Sequence, residues 1–117
     1  MKKQILAIDD ESSMLEFYGL ILAEFGEVRT ALNLEEARKK LPGADLIILD
    51  FYLQNDNEKI QDVVPELRKV APVLLCSGVQ EVGVQAMGVA LGMAGYWNKG
   101  ADHDALRSLV KATLQRG

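Results

Sequence analysis

Five polar residues stand where apolar runs stop. QILAI at residues 4–8 runs into Asp9 and Asp10, ADLIILD ends at Asp50, PVLLC runs into Ser77, and GYWNKG carries Lys99. Carboxylates at the end of a buried strand are costly unless paired, and adjacent like charges repel. Three of them with few cations nearby suit a hard divalent ion. Mg2+ prefers oxygen ligands, keeps several waters and binds phosphates. Lys99 adds one fixed positive charge and Ser77 a hydroxyl donor. Brought together, these groups would surround an anion arriving on one carboxylate, which is the chemistry of phosphoryl transfer to an aspartate nucleophile. Each residue alone has a plainer reading. Asp9 and Asp10 suit a helix N-terminus, where the dipole favours acids, and Ser77 suits an ordinary strand end.

Convergence depends on the elements that carry these residues. Strand signals fall at Gln4–Ile8, Glu27–Ala31, Asp45–Leu49, Pro72–Cys76 and Ala94–Trp97. Several are short continuous apolar runs, the pattern of strands buried on both faces. Helical patterns alternate with them. Ser12–Phe25 has a serine at its cap and an apolar stripe from Met14 to Phe25. Asn33 caps Leu34–Leu41, which Pro42-Gly43 ends. Ile60, Val63, Val64, Leu67 and Val70 form a third stripe, and Pro65 makes that helix either start near Asp62 or kink. Val79–Leu91 is weakened by Gly83 and Gly88, and Asp102 caps a last helix running to about Leu114. Five βα units of this length imply a doubly wound five-stranded parallel sheet with right-handed crossovers. Order 2-1-3-4-5 makes strands 1 and 3 neighbours and puts a switch point between them, at the carboxyl rim where ligands bind. On that order Asp9, Asp10, Asp50, Ser77 and Lys99 share one rim.

The 117 residues suit one domain with one core, residues 1–117, with no linker, repeat or low-complexity segment. A net charge of -4 and no basic stripe argue against nucleic acid as a partner. No apolar run is long enough to span a bilayer, and Asp9 and Asp10 interrupt the first one too early for a secretory signal. Cys76 is the sole cysteine, which fits a reducing, cytoplasmic setting and reads as a buried small hydrophobe. With one histidine, His103, a structural zinc site is excluded in practice. Trp97 reads as a packing residue, His103 as a solvated first-turn residue, and Lys39-Lys40 as a solvated face.

In their order and spacing, IDDES, LIILD, LLCSG and GYWNKG resemble the receiver domain of two-component response regulators, of the chemotaxis-regulator type, over essentially the full chain. The resemblance implies a flavodoxin-like (βα)5 fold and a role as a phosphoacceptor in a phosphorelay. It makes Asp50 the phosphoacceptor and gives Asp9, Asp10, Asp50 and the backbone carbonyl of Tyr52 to Mg2+. It makes Lys99 the phosphate-pairing lysine, Ser77 the switch hydroxyl and Tyr96 the aromatic switch. The implied partner is a sensor histidine kinase or a histidine phosphotransfer protein, and the output is binding rather than turnover of a separate substrate. A second copy docked through helix 4, strand 5 and helix 5 is a further candidate partner.

Two features depart from the family pattern. Gly100 follows Lys99 where receivers usually carry proline. A cis bond before a non-proline costs roughly 2.5–4 kcal/mol, so this peptide is expected to be trans. The loop DFYLQNDNEKIQD has neither the usual Met-Pro pair nor a later glycine. Other classes fit less well. A haloacid-dehalogenase-like phosphatase wants a second aspartate where Tyr52 stands, a flavodoxin wants a Ser/Thr/Gly-rich loop where DDESS stands, and no P-loop motif occurs. The remaining alternative is a degenerate receiver, an interaction module that never takes phosphate.

Overall fold

The computed structural model describes residues 2–53, 58–78 and 82–116. Strands and helices alternate as β1 (Gln4–Ile8), α1 (Ser12–Ile21), β2 (Glu27–Ala31), α2 (Leu34–Lys40), β3 (Leu46–Asp50), α3 (Ile60–Arg68), β4 (Val73–Ser77), α4 (Val82–Ala90), β5 (Gly95–Asn98) and α5 (His103–Arg116). All pairings are parallel and the order is β2-β1-β3-β4-β5.

The period-2 alternation of strand side chains divides the interior into two layers. Leu6, Ile8, Ile47, Leu49 and Val73 face Leu34, Ala37, Val63, Val64 and Leu67 of α2 and α3. Ile5, Ala7, Leu46, Ile48, Leu74 and Cys76 face Leu15, Tyr18, Leu106 and Val110 of α1 and α5. Every residue of β3 and β4 is buried, whereas the edge strand β2 is largely half-exposed. Continuous apolar runs therefore mark the central strands, as they must when both faces are covered.

Several boundaries differ from the sequence expectation. Helix α1 stops at Ile21 instead of Phe25. The chain must turn there so that Glu27 N can donate to Lys3 O at 2.8 Å, and a Cβ at Gly26 would collide with that carbonyl. Nor does Ser12 cap α1. Glu11 occupies the cap without a side-chain bond, and its carbonyl accepts from Met14 N and Leu15 N. Helix α3 opens at Ile60, ahead of Asp62, and keeps Pro65 inside. The carbonyl deprived of its donor belongs to Gln61, an exposed residue. Helix α4 ends at Ala90, where Met93 N donates to Gly88 O at 2.9 Å and Gly92 takes φ +74. The first residues expected in it, Val79 to Glu81, lie outside the described residues.

Strands β3, β4 and β5 each start and end one residue later than the apolar runs suggest. The ladder continues through the polar ends, with Phe51 N donating to Cys76 O and Lys99 N to Ser77 O, both at 2.8 Å. Asp50 and Ser77 are thus the last residues of strands, held by sheet hydrogen bonds.

Candidate functional site

Lys99 organises the rim. It leaves β5 through a turn closed by Ala101 N donating to Asn98 O at 2.9 Å. Its Nζ reaches back across the strand ends to Asp9 Oδ2 at 2.7 Å, Asp50 Oδ1 at 3.3 Å and Glu11 Oε1 at 3.8 Å. Asp9 is fully buried and Asp50 nearly so, while Glu11 is exposed. The other oxygen of Asp9 accepts from Glu11 N at 2.9 Å, which curls the loop so that its acids face the rim.

Burial dominates the electrostatics. Desolvation, reinforced by the charge of Asp9, raises the Asp50 carboxyl to about 6, with Lys99 and the Tyr52 amide pulling against it. The Tyr52 N–H approaches Asp50 Oδ1 at 3.4 Å. For Lys99, burial disfavours the ammonium, but Asp9 and Asp50 outweigh it and hold its pKa above the ordinary value. A buried carboxylate with a raised pKa, beside a fixed cation on an open rim, is poised for a ligand that adds positive charge or takes the lysine.

Oxygen atoms of Asp9, Asp10 and Glu11 lie within 4.8 Å of one another. An all-oxygen, all-anionic donor set fits a hard cation such as Mg2+. Glu11 joins this cluster in addition to the ligands that the sequence leads one to expect. Its position directly after the acidic pair was the signal. Asp50 adjoins the group through their shared partner Lys99.

The remaining expected site residues separate by face. Ser77 is fully buried at the end of β4. Tyr96 is half-buried and lines a recess of about 240 Å³ with Gly88, Val89, Met93 and Gly95, between α4 and β5. Trp97, next in the strand, points to the other layer. It is buried, stacks on Phe17 at 6.0 Å and 7°, and donates from Nε1 to the Asp102 carbonyl at 3.2 Å. Tyr52 is exposed, its ring edge-on to Phe51 at 4.7 Å. Burial pushes the Cys76 thiol up to about 12, which leaves it inert as a small apolar filler. His103 is exposed as expected, although its ring meets Phe17 edge-on at 4.7 Å. Of the two lysines read as a solvated face, only Lys39 is solvated. Lys40 is half-buried and donates to Thr30 O.

Two further devices flank the site. Asn98 Oδ1 accepts from Gly100 N at 2.8 Å, and the described residues contain no cis peptide bond. Arg38 on α2 grips Glu58 at 2.7 Å and Glu66 at 2.9 Å, tying the segment before α3 to two helices. Asn-Lys-Gly is a recognisable turn signature. The Arg38 cluster has no local signal, because its members are brought together by the fold.

No family model and no curated protein matches the sequence. Solved structures do. The beryllofluoride-activated receiver domain of DrrB superposes with a TM-score of 0.87 at 23% identity, covering 99% of this chain and 100% of that one. A two-component response regulator from Clostridium difficile gives 0.85 at 26% identity, covering 98% of both chains. The chain has the receiver-domain fold. Against the intact DrrB regulator of Thermotoga maritima it gives 0.84 at 24% identity and spans 54% of that chain. Receiver domains are signalling modules of two-component systems, and the carboxyl rim described above is the part of this receiver fold where the strand order reverses.

Proposed function

We propose that the chain is an active phosphoacceptor receiver, taking a phosphoryl group from a phosphohistidine onto Asp50. The observation that carries this reading is Lys99 Nζ held between Asp9 and Asp50 at 2.7 and 3.3 Å, beside a cluster of acidic oxygens. Asp9, Asp10, Asp50 and the Tyr52 carbonyl would hold Mg2+, which supplies charge neutralisation for the phosphoryl oxygens.

An Asp50 oxygen attacks phosphorus in line as the phosphorus–nitrogen bond of the donor breaks. The imidazole leaves with the bonding pair, and the acyl phosphate remains on Asp50. Lys99 already lies within reach of Asp50, so its ammonium transfers from Asp9 to a phosphoryl oxygen with a short side-chain movement. Ser77, fixed at the end of β4, donates its hydroxyl to another phosphoryl oxygen. Tyr96 then leaves the α4–β5 recess and turns inward, which alters the surface of α4, β5 and α5.

The domain, residues 1–117, acts in the cytoplasm with a sensor histidine kinase or histidine phosphotransfer protein, and signals by binding. A second copy at α4–β5–α5 is one form that binding takes. It turns over no separate substrate. The test is a titration followed by amide chemical shifts. Mg2+ is expected to shift Asp9, Asp10 and Glu11, and beryllofluoride with Mg2+ to shift Ser77, Tyr96 and Lys99 further and saturably. Trp97 shares a recess with Lys99 and His103 and supplies a parallel fluorescence signal. Absence of any metal-dependent change would favour the degenerate receiver instead.

A further inference from the structure

The geometry points to Asn98 as the residue that positions Lys99, an inference that rests on the phosphoacceptor reading of the same site. Where proline would remove a backbone donor, Gly100 keeps its N–H, and the Asn98 side chain takes it at 2.8 Å. The backbone of the same residue accepts from Ala101 N at 2.9 Å. Asn98 therefore closes the turn twice, once through Oδ1 and once through its carbonyl, with Lys99 and Gly100 at the two central positions.

This turn makes proline unsuitable at 100. Proline at the third position of such a turn forces the preceding residue out of the helical region, and asparagine at the first position favours the turn by bonding two residues ahead. Lys99 is pinned on both sides. Its own N–H is held by Ser77 O at 2.8 Å, and the next N–H is held by Asn98. Only the side chain is left to move, which is the freedom needed to exchange Asp9 for a phosphoryl oxygen. A Cβ at Gly100 would meet Asn98 Oδ1 at 3.4 Å, an ordinary contact, so the Asn98 side chain lies against the turn. The hydrogen bonds that Asn98 accepts come from the turn, from Gly100 N and Ala101 N, so its part is to position.

The test uses the full chain and two readouts. In the wild type, the Gly100 amide is expected to exchange with solvent more slowly than the intrinsic rate of an unstructured glycine amide, and Asn98→Ala is expected to abolish that protection. Loss of one such bond corresponds to ~3–10-fold weaker beryllofluoride binding in the presence of Mg2+. Affinity for Mg2+ alone, set by the acids, is expected to stay within about twofold. Asn98→Asp keeps the acceptor and is expected to restore both protection and beryllofluoride binding. An unprotected Gly100 amide in the wild type overturns the inference. So does unchanged beryllofluoride affinity in a folded Asn98→Ala, or equal loss for Mg2+ alone. A wild type that binds no beryllofluoride overturns the phosphoacceptor reading instead, and the exchange comparison still decides whether Asn98 holds the turn.

Discussion

At the scale of single residues, Asp50 is set apart by burial and by a neighbouring like charge, both of which raise its pKa. That environment suits a nucleophile whose charge Lys99 offsets only in part. Asp50→Asn is expected to abolish acid-stable, base-labile phosphate incorporation from a small phosphodonor and to leave the fold intact. Incorporation that persists, or that maps to Ser77, would reassign the nucleophile. Tyr52 is expected to govern the lifetime of the proposed acyl phosphate. Hydrolysis needs a water in line with the new phosphorus–oxygen bond. The residue two past Asp50 is an exposed aromatic set edge-on to Phe51, and it is neither an acid nor an amide that would position that water. Val79, expected to flank the path from the other side, lies outside the described residues. Tyr52→Asn is expected to speed decay on the order of 10-fold with Mg2+ present, since orientation of the attacking water is at stake. The check is the decay of phosphorylated protein after removal of the donor. A rate unchanged from the parent would move the control of lifetime to Lys99 and its turn.

At the scale of elements, apolar runs and turn residues in the sequence were enough to place the five strands and five helices of the described residues, because central strands buried on both faces cannot hide their composition. They misplace the ends of β3, β4 and β5 by one residue, because a polar residue that continues a ladder looks like the start of a loop. Asp50 and Ser77 were therefore legible as site residues and illegible as strand residues. The early end of α1 was equally hidden. Its stripe continues to Phe25, but the chain turns after Ile21 and brings Gly26 against Lys3 O. Gly26→Ala puts a methyl group against a backbone carbonyl that cannot yield without displacing β1 or β2. A destabilisation of roughly 1–3 kcal/mol is expected, the usual cost of overpacking a tight contact. Urea denaturation monitored by circular dichroism measures it, and an unchanged midpoint would show that the β1–β2 edge relaxes freely. By contrast, the Asn33 cap was readable in advance, and its Oδ1 accepts from Glu36 N at 2.9 Å as the sequence requires.

At the scale of the whole molecule, the two packed layers meet at a sheet whose carboxyl rim gathers acids that fold together only at a cost. The pH dependence of stability follows from that. Folding raises the Asp50 carboxyl from the ordinary range to about 6, so the folded chain keeps this proton over a pH range in which the unfolded chain has lost it. The associated stability is full below the ordinary carboxylate pKa and is lost as pH rises through about 6. With allowance for solvent screening at an open rim, the loss is roughly 1–2 kcal/mol. Metal-free wild-type protein is expected to weaken between about pH 4 and 6 by this amount relative to Asp50→Asn, whose curve lacks the term. Mg2+ at 100 times its dissociation constant adds about 2.7 kcal/mol to the wild type by mass action, if it binds only the folded state. Asp10→Asn removes a proposed ligand and should reduce that gain. Thermal unfolding of wild type and both variants at pH 4.5 and 7.5, with and without Mg2+, separates the two effects. A wild-type curve parallel to that of Asp50→Asn would show that Lys99 already neutralises the pocket. A Mg2+ gain undiminished in Asp10→Asn would place the cation outside the acidic rim.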